Sequence, residues 1–208
     1  EIDPQRILRR VETGYCDRME TNLDTALSAV LDAKAKGEAL SVGLVGNVAE
    51  VLPELVRRGV VPDVVTDQTS AHDLRVGYLP AGHTLDTGNA FRVRDPEGYD
   101  NAVLDSMEAH IDAMLALQRA GAIVFDYGNN LRGQVADRRG RTEAFDIPGF
   151  VPEFIRPLFC RGSGPFRWAA LSGNPADIAA TDQAILEAFP KKDALARWIR
   201  KAQDHVHF

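Results

Sequence analysis

The chain has 208 residues, 45% of them hydrophobic, and a formal net charge of −6 with both signs interspersed. That is enough apolar material for a sizeable core, while the lack of a basic stripe argues against nucleic acid and no apolar run reaches membrane-spanning length. The two cysteines, Cys16 and Cys160, lie too far apart in sequence to suggest a disulfide framework, so a reducing, cytoplasmic setting is the default.

In chain order, Pro4 followed by Arg6, Ile7, Leu8 and Val11 predicts a short helix with proline in its first turn, ended by Gly14. Asn22 or Asp24 can cap a second helix, whose Leu23, Ala26, Leu27, Val30 and Leu31 repeat at helical spacing until Gly37. Leu40–Val45 reads as a strand. Gly46-Asn47 then turns into a helix bearing Val51, Leu52, Leu55 and Val56, which Gly59 ends. The β-branched run Val60–Val65 predicts a buried parallel strand, and strand–helix–strand with short turns implies a right-handed crossover.

His72 to Asp95 is expected to be a long irregular segment, of the kind that is functional or mobile in a compact domain. Pro96–Ala120 is a clear helix, with Val103, Met107, His110, Ile111 and Met114 on one face and Gly121 as its C-cap. A third strand, Ala122–Phe125, runs into Asp126-Tyr127-Gly128-Asn129-Asn130. Residues 131–143 suggest a helix and exposed turn, Ala144–Ile147 a fourth short strand, and Phe150–Arg167 a packed irregular segment. Helices are predicted over Pro175–Phe189, with Asn174 as cap, and Asp193–His205.

Three strands therefore end in polar clusters: Gly46-Asn47, Asp67–His72 and Asp126–Asn130. Parallel strands place their carboxyl ends along one edge, where open α/β sheets bind ligands. Asn47, Gln68, Thr69, Ser70, His72, Tyr127 and Asn129 are thus expected to converge. The turn Gly43-Leu44-Val45-Gly46-Asn47 sits at a helix N-terminus suited to an anion, although glycine serves strand-to-helix turns for steric reasons too.

Other candidates are weaker. His72 is read as a hydrogen-bonding loop residue, with acid–base work as the alternative. Cys160 reads as structural, because no histidine stands near it in sequence. His83, His110, His205 and His207 lack zinc-ligand spacing, so no metal is expected. Arg156, Arg161 and Arg167 lie among aromatics and would seek a carboxylate or phosphate; spacing does not choose between them.

At G-L-V-G-N (43–47), T-D-Q-T-S-A-H (66–72), F-D-Y-G-N-N (125–130) and R-P-L-F-C-R-G-S-G-P-F-R-W (156–168), the chain resembles the urocanases, or urocanate hydratases. E-T-G-Y-C-D (12–17) and G-Y-L-P (77–80) fit as well. The resemblance implies a Rossmann-like parallel sheet flanked by helices, with 1–208 as the central NAD-binding domain of a longer chain, truncated at both ends. It implies NAD⁺ held tightly and used as an electrophile, with water added to urocanate to give imidazolone propionate in a histidine-degrading pathway. Glu1, Arg6, Asn47, Val48, Gln68, Thr69, Ser70, Ala71, His72, Tyr78, Leu79 and Tyr127 would line the cofactor, and Arg167 would hold the substrate carboxylate.

The same resemblance implies a small-molecule substrate, no nucleic acid or membrane partner, and a homodimer in the full-length protein. The family's phosphate loop is expected before Glu1 and its active-site cysteine beyond Phe208, so Cys160 inherits no catalytic role and the isolated stretch should be inactive. The segment H-T-L-D-T-G-N-A-F (83–91) departs from the family's tryptophan-containing pattern, which admits a sulfur-modified urocanate as substrate. A non-catalytic nucleotide-binding or assembly module is the remaining alternative.

Overall fold

A computed structural model describes residues 1–164 and 168–203, and the chain divides into two compact units, Glu1–Pro157 and Leu158–Phe208. The first unit is α/β. Its elements are α1 (Pro4–Glu12), β1 (Arg18–Glu20), α2 (Leu23–Lys36), β2 (Val42–Leu44), α3 (Val48–Arg57), β3 (Val64–Asp67), α4 (Leu74–Gly77), α5 (Leu85–Arg94), α6 (Pro96–Arg119), β4 (Ile123–Asp126) and α7 (Leu131–Arg139). A 3-10 turn (Thr142–Asp146), a π-helical turn (Val151–Ile155) and α8 (Arg156–Phe159) follow. The second unit contains α9 (Pro175–Ala188), capped by Asn174, and α10 (Asp193–Gln203).

The helix starts follow from short polar side chains that satisfy otherwise unpaired N–H groups. Asp3 caps α1, Asn22 caps α2 and Asn47 caps α3. Gly37, at φ 70°, ends α2 in the left-handed region that glycine enters without steric penalty.

The strands form two parallel pairs, β1 with β2 and β3 with β4. The second pair runs from Val64 opposite Ile123 to Asp67 opposite Asp126. The core is organised on α6, whose Tyr99, Val103, Met107, His110, Ile111 and Met114 are buried. Helices α3, α4, α5 and α7 pack against it.

Several expectations need correction. β3 begins at Val64, after Pro62, which has no N–H to give a ladder. It is buried on one face only: Val65 and Asp67 point inward, whereas Val64 is 52% exposed. The segment after His72 is not irregular. Asp73 caps α4 through the N–H groups of Arg75 and Val76, and Thr84 forms a reciprocal capping box with Thr87 at the start of α5. No strand forms at Ala144–Ile147; its two inward apolar groups, Ala144 and Ile147, lie three apart and suit a 3-10 turn. Pro148 and Gly149 pair with the end of β4 instead, through Asp126 N–H to Pro148 O at 2.9 Å. Phe150–Phe159, expected to be irregular, is helical. β1, flanked by charged residues and only three long, had no readable period.

Candidate functional site

The turn after β2, the loop after β3 and the segment after α4 meet in a cavity of about 510 Å³. Asn47 is its organising residue. Almost fully buried, it accepts the Ala49 N–H at 2.9 Å through Oδ1 and donates Nδ2 to Leu79 O at 2.9 Å. One side chain thereby starts α3 and ties the β2 turn to the Tyr78–Leu79 wall.

The opposite wall, Gln68 to Ser70, is fixed from behind. Thr69 N–H donates to Asp67 Oδ1 at 2.9 Å, Asn129 Nδ2 donates to Gln68 O at 3.0 Å, and Ala71 N–H donates to Asn129 O. Gln134, on α7, donates Nε2 to Ala71 O at 3.0 Å. The Asp126–Asn130 cluster therefore supports the β3 loop rather than facing the cavity.

At the mouth stand Glu1, Arg6 and Arg10, with Arg10 Nη1 3.6 Å from Glu1 Oε2 and Arg6 Nε 3.8 Å from Asp3 Oδ2. Arg10 was missed by sequence reasoning, although its position one helical turn after Arg6 is a signal for it. Gly77 was also missed. Its backbone touches that of Ser70, and a Cβ there would lie 1.8 Å from Ser70 O.

Buried groups lie behind these walls. Tyr78 OH is 3.4 Å from His110 Nδ1, and Tyr99 OH donates to Tyr78 O at 2.8 Å. Burial lowers His110 to about 4 and raises the Tyr78 hydroxyl. Burial also raises the Asp67 carboxyl.

Of the residues expected to line one ligand, Glu1, Arg6, Asn47, Val48, Gln68, Thr69, Ser70, Tyr78 and Leu79 share the cavity. Three do not. Ala71 is fully buried beneath the loop. His72 faces a separate hollow of about 240 Å³ with Asp73, Arg75, Asp100 and Arg138, because the hydrogen bond to Asn129 turns the chain inward at Ala71. Tyr127 is 47% exposed and stacks on Phe150, ring centroids 4.9 Å apart, so the three-cluster convergence reduces to two clusters at the cavity and one behind it. Arg167 lies outside the described residues. Cys16 is a buried free thiol and Cys160 an exposed one. Among the described residues, no cluster of His, Cys, Asp or Glu could hold a metal and no helix is long and apolar enough to cross a membrane.

Comparison with known proteins agrees with this architecture. Residues 1–154 match the model of the urocanase Rossmann-like domain, and residues 157–208 match that of the urocanase C-terminal domain. Proteins named probable urocanate hydratase from two strains of Halobacterium salinarum, ATCC 29341 / DSM 671 / R1 and ATCC 700922 / JCM 11081 / NRC-1, are each 53% identical over 216 aligned positions. Those alignments cover 100% of this chain and 37% of each relative. On these matches, with a parallel α/β fold and a cavity at its strand ends, the chain belongs to the urocanase family.

Proposed function

We propose that this chain is the dinucleotide-holding part of a urocanate hydratase, which adds water to urocanate to give imidazolone propionate with NAD⁺ as an electrophilic cofactor. The observation that carries the proposal is the gathering of Asn47, Gln68–Ser70, Tyr78–Leu79, Glu1 and Arg6 around one cavity in a chain of this family. Its volume, about 510 Å³, is in the range of small-molecule sites.

The residues present suit such a ligand. The N-terminus of α3 and the guanidinium groups of Arg6 and Arg10 favour phosphate oxygens, and the Glu1 carboxylate suits a ribose hydroxyl. When bound, an oxidised nicotinamide supplies an electrophilic ring that makes the conjugated substrate receptive to water. The chain's share is placement: Asn47 holds the β2 turn to the Tyr78–Leu79 wall, Tyr78 and Leu79 shield one side from water, and Gln68–Ser70 offer donors and acceptors along the other. Arg167 is assigned the substrate carboxylate. The full-length enzyme is proposed to be a cytoplasmic homodimer acting in histidine degradation, and residues 1–208 alone to bind NAD⁺ weakly.

A sulfur-modified urocanate is a second substrate reading. It rests on the departure of the 83–91 segment from the family's tryptophan-containing pattern; in the structure His83 of this segment stacks on Phe91 at 5.2 Å beside a cavity of about 520 Å³ that Asn47 also lines. The test is loss of the urocanate chromophore with the full-length protein, run against the sulfur-substituted analogue, together with calorimetric titration by NAD⁺. Turnover of neither compound, with no heat of NAD⁺ binding, would overturn the hydratase reading.

A further inference from the structure

Strands β3 and β4 end on two aspartates held side by side, Asp67 opposite Asp126, both almost fully buried. Their surroundings differ. Asp126 accepts the Gly128 N–H at 2.6 Å and is ion-paired with Arg132 Nε, whose Nη1 donates to Ile147 O at 2.8 Å. Asp67 accepts the Thr69 N–H through Oδ1, while its Oδ2 is buried with no hydrogen-bond partner.

Among the described residues, Asp67 interacts with Asp126 on β4 and Tyr78 after α4, and Asp126 in turn with Arg132 on α7 and His110 on α6. Of these described groups only Arg132 is cationic at neutral pH, and it is committed to Asp126. His110 is neutral there, held down to about 4 by burial. One cation thus serves two buried carboxyls. An ionised Asp67 would be a buried charge with no counter-ion, which is strongly unfavourable.

We infer that Asp67 works as a neutral carboxylic acid, a positioning residue that anchors the Gln68–Ser70 wall through Thr69 and keeps the ground behind that wall uncharged for an anionic ligand. With Asp67 neutral, the Asp126–Arg132 pair balances and the pair of strand ends carries no net charge. With Asp67 ionised, one uncompensated negative charge would stand next to the residues that meet a phosphate-bearing ligand. Burial pushes the Asp67 carboxyl up in the sense this requires.

The protonation half of this inference stands on its own, and the ligand half rests on the dinucleotide reading. Carbon-13 NMR of the full-length protein labelled at aspartate carboxyls, with Asp67 assigned by its missing resonance in Asp67→Asn, measures the first. Asp67 is expected to remain protonated after ordinary aspartates have ionised near pH ~3.9; titration together with them overturns the inference whether or not NAD⁺ binds. Should Asp67→Asn not fold, Asp67→Glu supplies the assignment.

For the ligand half, Asp67→Asn mimics the neutral acid and is expected to keep NAD⁺ affinity within about threefold and to lose the decline of affinity at high pH. Asp67→Ala, which removes the Thr69 anchor, is expected to lose about tenfold, the equivalent of one hydrogen bond. A folded Asp67→Asn that loses tenfold overturns the positioning role. Failure of the wild-type protein to bind NAD⁺ at all overturns the ligand half together with the dinucleotide reading, and the carboxyl titration still decides the protonation of Asp67.

Discussion

Gly77 and Ser70 meet backbone to backbone: a Cβ on Gly77 would sit 1.8 Å from the Ser70 carbonyl oxygen and 2.9 Å from its carbon. Neither atom belongs to a flexible side chain, so accommodation requires the Gln68–Ser70 wall or α4 to move. Gly77→Ala is therefore expected to lower NAD⁺ affinity by tenfold or more and stability by about 1–3 kcal/mol, the usual cost of overpacking. Gly46→Ala, whose Cβ would meet only Val51 Cγ2 at 3.1 Å, should do less. Calorimetric titration of the two variants side by side checks the order; equal affinities would contradict the contact.

Asn47 joins two functions that substitutions can separate. Asn47→Asp retains an oxygen for the Ala49 N–H but loses the donor to Leu79 O. Urea denaturation is expected to show a loss of about 1–3 kcal/mol: the cap survives, since an aspartate caps as well as an asparagine, but a buried carboxylate oxygen then faces the unpaired Leu79 carbonyl. NAD⁺ affinity should fall about tenfold, through the freed Leu79 wall and the negative charge added to the cavity lining, and part of that loss should disappear at high salt. A salt-independent loss would leave the wall alone as its cause.

Much of this arrangement was legible in the sequence, for definite reasons. Asn47 could be identified because a short polar residue between an apolar run and a helical period is a cap, and a cap after a parallel strand stands at the ligand-binding edge. Gln68–Ser70 followed from the same logic. Tyr127 did not, because the direction of its ring depends on Phe150, a partner remote in sequence whose own helical turn showed no period. His72 failed for a related reason: Gln134 and Asn129, from two other elements, hold its loop. Gly77 was invisible because a glycine's value there lies in what it touches across space, and α4 itself is a single turn, too short for periodicity to reveal.

His110 gives a pH dependence with a definite sign. Its folded value is depressed from 6.5 to about 4 by burial, while the unfolded chain titrates near 6.5. Below that point the unfolded state binds a proton that the folded state refuses, so stability is full above about pH 6.5 and falls as pH drops toward 4. The loss is on the order of 3 kcal/mol over that interval. Asp67 acts in the opposite sense, its raised folded value removing stability as pH rises above about 3.9. His110→Gln, which cannot titrate, isolates the first effect because Asp67 contributes equally to both proteins: between pH 7 and 5 the urea midpoint of the wild type should fall relative to that of the variant. Parallel declines in both proteins would assign the acid lability elsewhere.

Arg132 supplies the cation on which the strand ends depend. Its side chain is 18% exposed and that of Asp126 2%, so the pair is shielded from water and each partner makes further hydrogen bonds, to Ile147 O and from Gly128 N–H. Removing one member of such a pair leaves a buried charge, which costs about 3–5 kcal/mol, whereas an exposed pair is worth at most about 1 kcal/mol. Arg132→Ala is therefore expected to lose stability in the larger range at pH 7. Asp126→Asn added to Arg132→Ala should recover part of it, because the asparagine can still accept the Gly128 N–H without a charge. Urea denaturation of the single and double variants measures the coupling. A loss below about 1 kcal/mol in Arg132→Ala, or no recovery in the double variant, would mean that the ion pair does not neutralise Asp126 in the way the geometry requires.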